Sequence, residues 1–221
     1  MKKESTPHKI IIVDDHPIFC LGMTELINKE PDLLVARSVD TADMAWDALQ
    51  AETPDLMIVD ISLAESNGID LVADIGRDYP DLPVLVVSMY DDSMYAERAL
   101  LAGARGYVMK QRAIGRVVTA IRQVLEGNIY ASDAIKEKML QRMISRKSPK
   151  TGVSLDDLTN RELEVFRLIG EGLDSREIAA RLHLSMKTIG TYRENIKEKL
   201  HLKHYTELVK AAVHWAHEMK K

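Results

Sequence analysis

The chain has 221 residues and a net charge of −4, yet residues 1–130 carry −9 and residues 131–221 carry +5. This asymmetry predicts two modules with different partners, the second suited to a polyanion. The single cysteine excludes a disulfide framework and a Cys-based zinc site, and no apolar run reaches the about 18 residues of a membrane span, so we expect a cytoplasmic protein without membrane contact.

The first 130 residues alternate short apolar runs with amphipathic helical stretches. The predicted strands are 9–14, 33–39, 56–60, 84–88 and 106–110, and the predicted helices are 17–30, 41–51, 68–79, 91–103 and 113–127. Near-continuous apolar strands joined by helical crossovers are typical of a parallel sheet covered on both faces, and right-handed crossovers make it doubly wound. We therefore predict one α/β domain over residues 1–130.

Polar residues stand where four of these strands end. They are Asp14, Asp15, Asp60, Ser88 and Lys110. Because ligands bind outside the carboxyl ends of strands in open α/β sheets, we expect these side chains to converge at one edge. Clustered carboxylates need a hard cation between them, which predicts Mg²⁺, and a facing lysine suits a phosphoryl oxygen. A carboxylate placed there can accept a phosphoryl group, although any single acid could equally be a solvated turn residue or helix cap.

Four short motifs extend this pattern. They are V-D-D-H at 13–16, V-D-I-S at 59–62, V-V-S-M at 86–89 and G-Y-V-M-K at 106–110. Together they resemble the receiver domain of bacterial response regulators. The resemblance implies a flavodoxin-like sheet of strand order 2-1-3-4-5. The chain departs from the family at Ala64 and Gln111, where proline is usual, and this loosens the expected loop after the third strand and disfavours a cis bond after Lys110.

The same resemblance implies a role for each matching residue. Asp60 accepts a phosphoryl group from a histidine kinase. The implied Mg²⁺ ligands are Asp15, Asp60, the backbone carbonyl of Ser62 and, through water, Asp14. Ser88 and Lys110 contact the phosphoryl oxygens. Tyr107 is the switch aromatic, with Ser88 as its hydroxyl partner.

From residue 131 the strand signals stop. Residues 132–146 predict a charged helix and the Pro-, Gly- and Ser-containing stretch 148–157 predicts a linker, so we assign 131–154 to the connection between domains. Helical stretches at 159–171, 174–182, 185–200 and 204–219 define a second, all-α domain over 155–221. Thr159 and Asp174, each followed three residues later by a glutamate, predict capping boxes for the first two helices, and Ser185 can cap the third. A short helix, a tight turn and a longer helix predict a helix–turn–helix whose second helix suits the major groove. These features alone leave open a helical bundle used for protein contacts.

The second domain also carries a family pattern. L-T-x-R-E-x-E-V begins at Leu158, and G-x-x-x-x-E-I-A-x-x-L and S-x-x-T-I follow. The pattern resembles the LuxR-type DNA-binding domain of the NarL/FixJ subfamily, which implies a recognition helix over 185–200. The positions that match the family's base-reading sites are Gly190, Thr191 and Glu194. The candidates for phosphate or flanking contacts are Lys187, Thr188, Arg193, Asn195 and Lys199. Glu194 has the alternative of pairing with Lys197 or Arg193. The resemblance also implies a homodimer through the last helix, with Leu208, Ala212 and Trp215 as candidates.

The whole sequence predicts a regulator of transcription that binds double-stranded DNA under the control of phosphorylation. It is not expected to be an enzyme beyond its own phosphorylation and dephosphorylation. A hydrolase that turns over an aspartyl phosphate is disfavoured, because such enzymes commonly need a second acid two residues after the nucleophile and Ser62 occupies that position. A regulator of the same fold that works without phosphorylation stays the alternative.

Overall fold

A computed structural model describes residues 6–63, 66–90, 94–145 and 154–218. The chain divides into two compact units, Met1–Lys147 and Ser148–Lys221. Of the predicted connection, residues 146–153 lie outside the described residues, as does Ala64. Leu155–Asp157 forms one turn of 3-10 helix.

The first unit is built on a five-stranded parallel sheet. Its strands are β1 His8–Val13, β2 Leu33–Val39, β3 Leu56–Val59, β6 Val84–Ser88 and β7 Gly106–Met109, with an antiparallel hairpin of β4 Ser62–Leu63 and β5 Ser66–Asn67. Its helices are α1 Pro17–Asn28, α2 Ala42–Ala51, α3 Gly68–Asp78, α4 Tyr95–Leu101, α5 Lys110–Leu125 and α6 Asp133–Ser145. The order β2-β1-β3-β6-β7 confirms the predicted doubly wound sheet, since it is 2-1-3-4-5 without the hairpin.

The sheet lies inside the unit. All residues of β3 and β6 are buried, as expected where both faces of a strand are covered. On one face, Ile27 of α1 and Ile121 of α5 join Ile10, Ile12 and Leu85 in one apolar cluster. All strand pairs of this sheet are parallel, so their carboxyl ends meet at a single edge.

Two helices of the first unit, α4 and α5, differ most from their predicted bounds. The helix predicted at 91–103 is observed as α4, and residues 91–93 lie outside the described residues. It ends before Gly103, whose φ of +113° is a conformation that favours glycine. Helix α5 begins at Lys110, three residues earlier than predicted, because the extended Met109 leads directly from strand into helix. The described residues contain no cis peptide bond, so the bond from Lys110 to Gln111 is trans.

After α5 the chain returns to the free edge of β7. Tyr130 forms a parallel bridge with Gly106, and the Tyr107 amide donates to the Tyr130 carbonyl at 2.8 Å. A Cβ at Gly106 would lie 3.1 Å from the Tyr130 carbonyl oxygen and closer still to Leu85, so glycine permits this approach. The segment that leaves α5 is thus bonded directly to the backbone of Tyr107.

Helix α6 packs on α4 within the first unit. Ile135 is buried, and Lys138 Nζ lies 3.2 Å from Glu97 Oε2. Glu97 is itself buried on α4. The helix predicted as part of the connection therefore lies on the α4 face of this unit.

The second unit contains the four predicted helices. They are α7 Asn160–Gly170, α8 Ser175–Arg181, α9 Met186–Lys199 and α10 Tyr205–Glu218. Both predicted capping boxes are present, at Thr159 and Asp174, and Ser185 caps α9 by accepting from the Thr188 amide. His183, with φ of 53°, makes the tight turn from α8 to α9. In the described part of the chain, no helix combines the length and apolarity that crossing a membrane requires.

Candidate functional sites

Four predicted site residues lie together at the carboxyl edge of the parallel sheet. Asp14 follows β1, Asp60 follows β3, Ser88 ends β6 and Lys110 begins α5, and none is more than 6% exposed. Lys110 Nζ lies 2.7 Å from Asp14 Oδ2 and donates to Asp60 Oδ2 at 2.9 Å. One buried ammonium group is thus ion-paired with two buried carboxylates.

The backbone after Asp60 folds tightly against the start of α3. Gly68 N donates to Ile61 O at 2.7 Å, and a Cβ at Gly68 would lie only 1.8 Å from the Asp60 carbonyl oxygen. Glycine is therefore required at this position. The Asn67 side chain caps α3 by accepting from the Ile69 amide at 3.0 Å. These contacts hold the loop in place beside the phosphoacceptor candidate.

The electrostatics of Asp60 reflect its burial among charges. Burial raises the pKa of Asp60 most, the Lys110 charge lowers it, and the Asp14 carboxylate raises it again, so the pKa moves from 3.8 to about 7. The charge of Lys110 alone thus does not offset the cost of burying ionised Asp60 beside Asp14. A second positive charge here would favour ionised Asp60.

The donor atoms around Asp60 fit Mg²⁺. One ligand atom from each of Asp14, Asp15, His16 and Asp60 lies within 4.8 Å of the others. Asp60 Oδ1 is buried and receives no hydrogen bond from the described residues, which is costly unless a bound group satisfies it. Clustered carboxylate oxygens are the ligands that Mg²⁺ prefers. His16 joins this cluster, with Nδ1 2.8 Å from Asp15 Oδ1 and 3.1 Å from Asp14 Oδ1.

The two predicted switch residues meet at a tyrosine that sequence reasoning missed. Tyr107 is buried, and its hydroxyl donates to the Tyr90 carbonyl at 3.0 Å. Ser88 Oγ accepts from the Tyr90 amide at 3.3 Å. The Tyr90 hydroxyl is hydrogen-bonded to Ser62 Oγ, in the hairpin after Asp60. Tyr90 follows β6 with no periodic or motif signal, so nothing in the sequence singles it out.

Helix α9 presents part of the predicted DNA-contacting set to solvent. Lys187, Thr191 and Glu194 are exposed, and Thr188, Gly190 and Asn195 are partly exposed. Thr191 Oγ1 donates to the Lys187 carbonyl at 3.2 Å. Glu194 pairs with Lys197 at 2.8 Å, which is the alternative that the sequence left open.

Two cations of α9 that are candidates for phosphate contacts have partners within the unit. The Arg193 guanidinium donates to Ser175 Oγ at 2.8 Å and lies 3.7 Å from the centre of the Tyr205 ring. Lys199 Nζ donates to Glu162 Oε2 at 2.7 Å. Both groups are partly buried, and leaving these partners for DNA would cost their internal bonds. They hold α9 against α8, α10 and α7.

The structure corrects the predicted dimer contact at two residues of α10. Leu208 and Ala212 have no exposed surface, so in this conformation neither can touch a second protomer. Helices α7 and α10 approach so closely that a Cβ at Gly170 would lie 2.4 Å from the Ala212 carbonyl oxygen. Trp215 is partly buried, with its ring centre 5.8 Å from that of Phe166. Val213 is 46% exposed on the same helix.

The ion pair between Lys199 and Glu162 links the recognition-helix candidate to α7. Burial by itself raises the pKa of Glu162, but the hydrogen bond and charge of Lys199 and the bonds from Thr159 outweigh it and lower the pKa. Glu162 also completes the capping box, accepting from the Thr159 amide at 2.8 Å. Glu162 therefore contributes stability above the pKa of the unfolded chain, and this contribution is lost as the pH falls through its folded pKa.

Replacing Lys199 by Ala is expected to destabilise the second unit by about 1.5–3 kcal/mol at neutral pH, the range for hydrogen bonds to charged groups. The loss should shrink as the pH falls and Glu162 is protonated. Urea unfolding of the full chain, followed by Trp215 fluorescence in a Trp46→Phe background, measures it. Lys210→Ala, at an exposed lysine of α10, is the matched control. Equal stability of the two variants would contradict the role assigned to this pair.

Comparison with known proteins assigns both units. Residues 10–122 match the family model of the response regulator receiver domain, and residues 156–212 match that of bacterial regulatory proteins of the luxR family. The oxygen regulatory protein NreC of Staphylococcus carnosus (strain TM300) is 30% identical over 209 residues, covering 93% of this chain and 96% of that protein. The RcsB response regulator of Salmonella typhimurium superposes with a TM-score of 0.64 at 24% identity, over 95% of this chain and 98% of that chain. The two-component response regulator RcsB in complex with DNA gives 0.57 at 25% identity, over 93% and 97%.

Proposed function

Because the chain belongs to the response regulators that join a receiver domain to a LuxR-type DNA-binding domain, we propose that phosphorylation of Asp60 controls how it binds DNA and regulates transcription. The observation that carries the proposal is the buried carboxylate of Asp60, with Lys110 on one oxygen and no partner on the other. The phosphodonor is a sensor histidine kinase, and the site of action is the cytoplasm.

In the proposed reaction, a carboxylate oxygen of Asp60 forms a bond to phosphorus as the bond from phosphorus to the donor histidine nitrogen breaks. The residues that would hold Mg²⁺ are Asp15, Asp60, the backbone carbonyl of Ser62 and, through water, Asp14. When bound, Mg²⁺ supplies positive charge against the phosphoryl oxygens. Lys110 neutralises a further oxygen, and Ser88 Oγ donates to one. Hydrolysis of the acyl phosphate returns the carboxylate.

The signal leaves the receiver through Tyr107 in this proposal. When Ser88 turns toward a phosphoryl oxygen, its bond to the Tyr90 amide breaks, and Tyr90 also holds the Tyr107 hydroxyl. The Tyr107 amide is in turn bonded to Tyr130, which precedes α6. A change at Ser88 can thus reach the surface of α4, β7 and α6 through these hydrogen bonds.

In the second unit, α9 is the proposed recognition helix. A glycine inside a helix costs about 1 kcal/mol relative to alanine. Beyond the backbone of its own helix, a Cβ built at Gly190 would meet open space among the described residues, so packing inside the unit does not require glycine there. Gly190 leaves room for base edges beside Thr191, whose methyl group can contact a thymine. The relative of 25% identity that binds DNA, RcsB, supports this use of the unit.

The proposed DNA-bound form is a homodimer, so that two α9 helices read half-sites related by a two-fold axis. Since Leu208 and Ala212 are buried, the exposed side of α10 around Val213 and the edge of Trp215 takes their place as the contact.

Two single substitutions on α9 separate affinity from sequence choice. Lys187→Ala is expected to weaken binding to every DNA sequence alike and to lower the slope of log affinity against log salt by about 0.9, because one phosphate contact is lost. Thr191→Ala is expected to change the ranking of sites instead. Anisotropy titrations at several salt concentrations measure both, with Lys29→Ala in the receiver as a matched charge control. Identical effects of the two substitutions on all sequences would contradict these assignments.

The overall function is tested by comparing DNA binding of the full chain with and without Mg²⁺ and a small phosphodonor such as acetyl phosphate. Selection from a pool of random duplexes identifies the bound sequences, and sedimentation velocity reports self-association. A change in affinity or oligomeric state that requires Asp60 supports the proposal. Equal binding in both conditions would favour the regulator that works without phosphorylation.

A further inference from the structure

Tyr90 contacts several parts of the phosphoacceptor edge at once. Its hydroxyl is hydrogen-bonded to Ser62 Oγ on β4. Its backbone amide donates to Ser88 Oγ, and its carbonyl accepts from the Tyr107 hydroxyl. Its ring centre lies 4.6 Å from that of Tyr95, the first residue of α4. One side chain with its own backbone therefore joins the loop after Asp60 to both switch residues.

The hairpin that carries Ser62 needs support of this kind. Strands β4 and β5 have two residues each, and even a full-length isolated hairpin is only marginally stable in water. The start of α3 joins the two ends of the hairpin, because the Gly68 amide donates to the Ile61 carbonyl, and Asn67 at the far end caps α3. The Tyr90 hydroxyl holds its near end, where Ser62 stands two residues after Asp60.

We propose that Tyr90 is a positioning residue that fixes the Ser62 hairpin for Mg²⁺ and reports the state of that hairpin to Tyr107. The inference rests on the proposed function, since it takes Ser62 as the residue whose carbonyl serves the cation. The hydroxyl of Tyr90 fixes the hairpin through its bond to Ser62, and the carbonyl of Tyr90 transmits the change through its bond to the Tyr107 hydroxyl. The ring of Tyr95 keeps Tyr90 in the orientation that allows both.

The first test removes the two hydroxyl groups separately and together. Tyr90→Phe and Ser62→Ala each break the same bond, so each is expected to weaken binding of Mg²⁺ alone by about 10-fold, the lower end for groups that orient metal ligands. The double variant is expected to bind Mg²⁺ no more weakly than either single variant, because the bond can be lost only once. Isothermal titration with MgCl₂ measures the affinities, and circular dichroism confirms that each variant is folded.

Tyr79→Phe is the matched control. It removes a phenolic hydroxyl at the end of α3, next to the amino ends of the strands, and is expected to leave Mg²⁺ affinity unchanged. Wild-type affinity in both Tyr90→Phe and Ser62→Ala overturns the proposal. So do fully additive losses, because two independent effects do not describe one shared bond. If Tyr90→Phe does not fold, Ser62→Ala alone decides the first outcome.

A second measurement addresses the link to Tyr107. In protein labelled with 3-fluorotyrosine, the ¹⁹F resonance of Tyr107, assigned from Tyr107→Phe, is expected to shift when Mg²⁺ is added. The shift should be lost or reduced at least by half in Ser62→Ala, although Tyr107 keeps its own bond to the Tyr90 carbonyl. An undiminished shift in Ser62→Ala at saturating Mg²⁺ overturns the reporting role.

These readouts stand apart from phosphorylation. If wild-type protein gains no phosphoryl group but Mg²⁺ affinity depends on Tyr90 as described, the proposed function fails and the positioning role survives. If wild-type protein is phosphorylated while Tyr90→Phe and Ser62→Ala bind Mg²⁺ normally, the positioning role fails and the proposed function survives.

Discussion

Asp60→Asn is expected to abolish covalent phosphorylation of the chain. After incubation with Mg²⁺ and acetyl phosphate, intact mass spectrometry should show one added phosphoryl group on the wild-type protein and none on the variant. The physical reason is that an amide is a poor nucleophile toward phosphorus, while the Asp60 carboxylate has Lys110 at 2.9 Å from one oxygen and no hydrogen bond from a described residue on the other. A phosphoryl group that persists in Asp60→Asn would move the phosphoacceptor to another residue.

The same variant is expected to be more stable than the wild-type protein when metal is absent. The pKa of Asp60 is raised from 3.8 to about 7, chiefly by burial, so the folded state keeps a proton that the unfolded chain has already released. Stability of the wild-type receiver therefore falls as the pH rises through this window. Asp60→Asn carries no such charge. Its stability relative to the wild-type protein should therefore rise from about pH 4 and level off above about pH 7.

Thermal unfolding in EDTA at several pH values measures this difference. Added Mg²⁺ should reverse it, because a ligand that binds only the folded state stabilises it, and the wild-type site binds the cation better. Asp43→Asn, at a carboxylate in the first turn of α2, is a matched control for loss of one negative charge. A stability difference that does not change with pH would contradict the assigned cause.

Lys110→Met is expected to produce the largest loss of stability in the receiver. It removes the ammonium group from two buried carboxylates, 2.7 Å from Asp14 and 2.9 Å from Asp60, and from the face of the Phe19 ring at 4.6 Å. Removing one partner from a buried ion pair typically costs about 3–5 kcal/mol. The loss should be greatest at alkaline pH without metal, because Lys110 lowers the pKa of Asp60 and its removal leaves that carboxylate harder to ionise.

Denaturant unfolding of Lys110→Met at pH 8 and pH 6 tests this expectation. Stability should recover partly at pH 6, where Asp60 takes up a proton. The double variant Asp60→Asn/Lys110→Met should also be more stable than Lys110→Met, since one unpaired buried charge is gone. If the double variant is no more stable than Lys110→Met, the unpaired buried charge of Asp60 is not the cause of the stability that Lys110→Met loses.

The position of the proposed phosphoacceptor could be predicted from the sequence because it depends on short-range patterns. Uninterrupted apolar runs such as Leu56–Val59 predict buried parallel strands, and polar residues directly after them must lie at one edge of the sheet. Asp14, Asp60, Ser88 and Lys110 were placed together on that basis, and the structure brings them together. The capping residues Thr159 and Asp174 were found for the same reason, since a capping box spans only four residues.

The contacts of α9 and α10 could not be read in that way. Arg193 and Lys199 look like phosphate contacts along the helix, but their partners Ser175 and Glu162 lie 18 and 37 residues away. On α10, helical spacing marks an apolar stripe without saying which side the other helices cover. Close approach of α7 at Gly170 decides that Leu208 and Ala212 are core while Val213 stays exposed.

The sequence by itself determined two domains of opposite charge, the doubly wound sheet, the helix–turn–helix and the residues at the ends of the strands. These follow from periodicity, capping and strand order, which act over a few residues or one crossover. Only the tertiary structure decided which polar groups are paired and which remain available. It placed Tyr90 against Ser62 across 28 residues of chain and, in the part of the chain that the structure describes, left Asp60 Oδ1 without a hydrogen-bond partner. Such pairings depend on distances between elements that no local pattern encodes, because a side chain two residues past a strand can meet any neighbour that packing brings within reach.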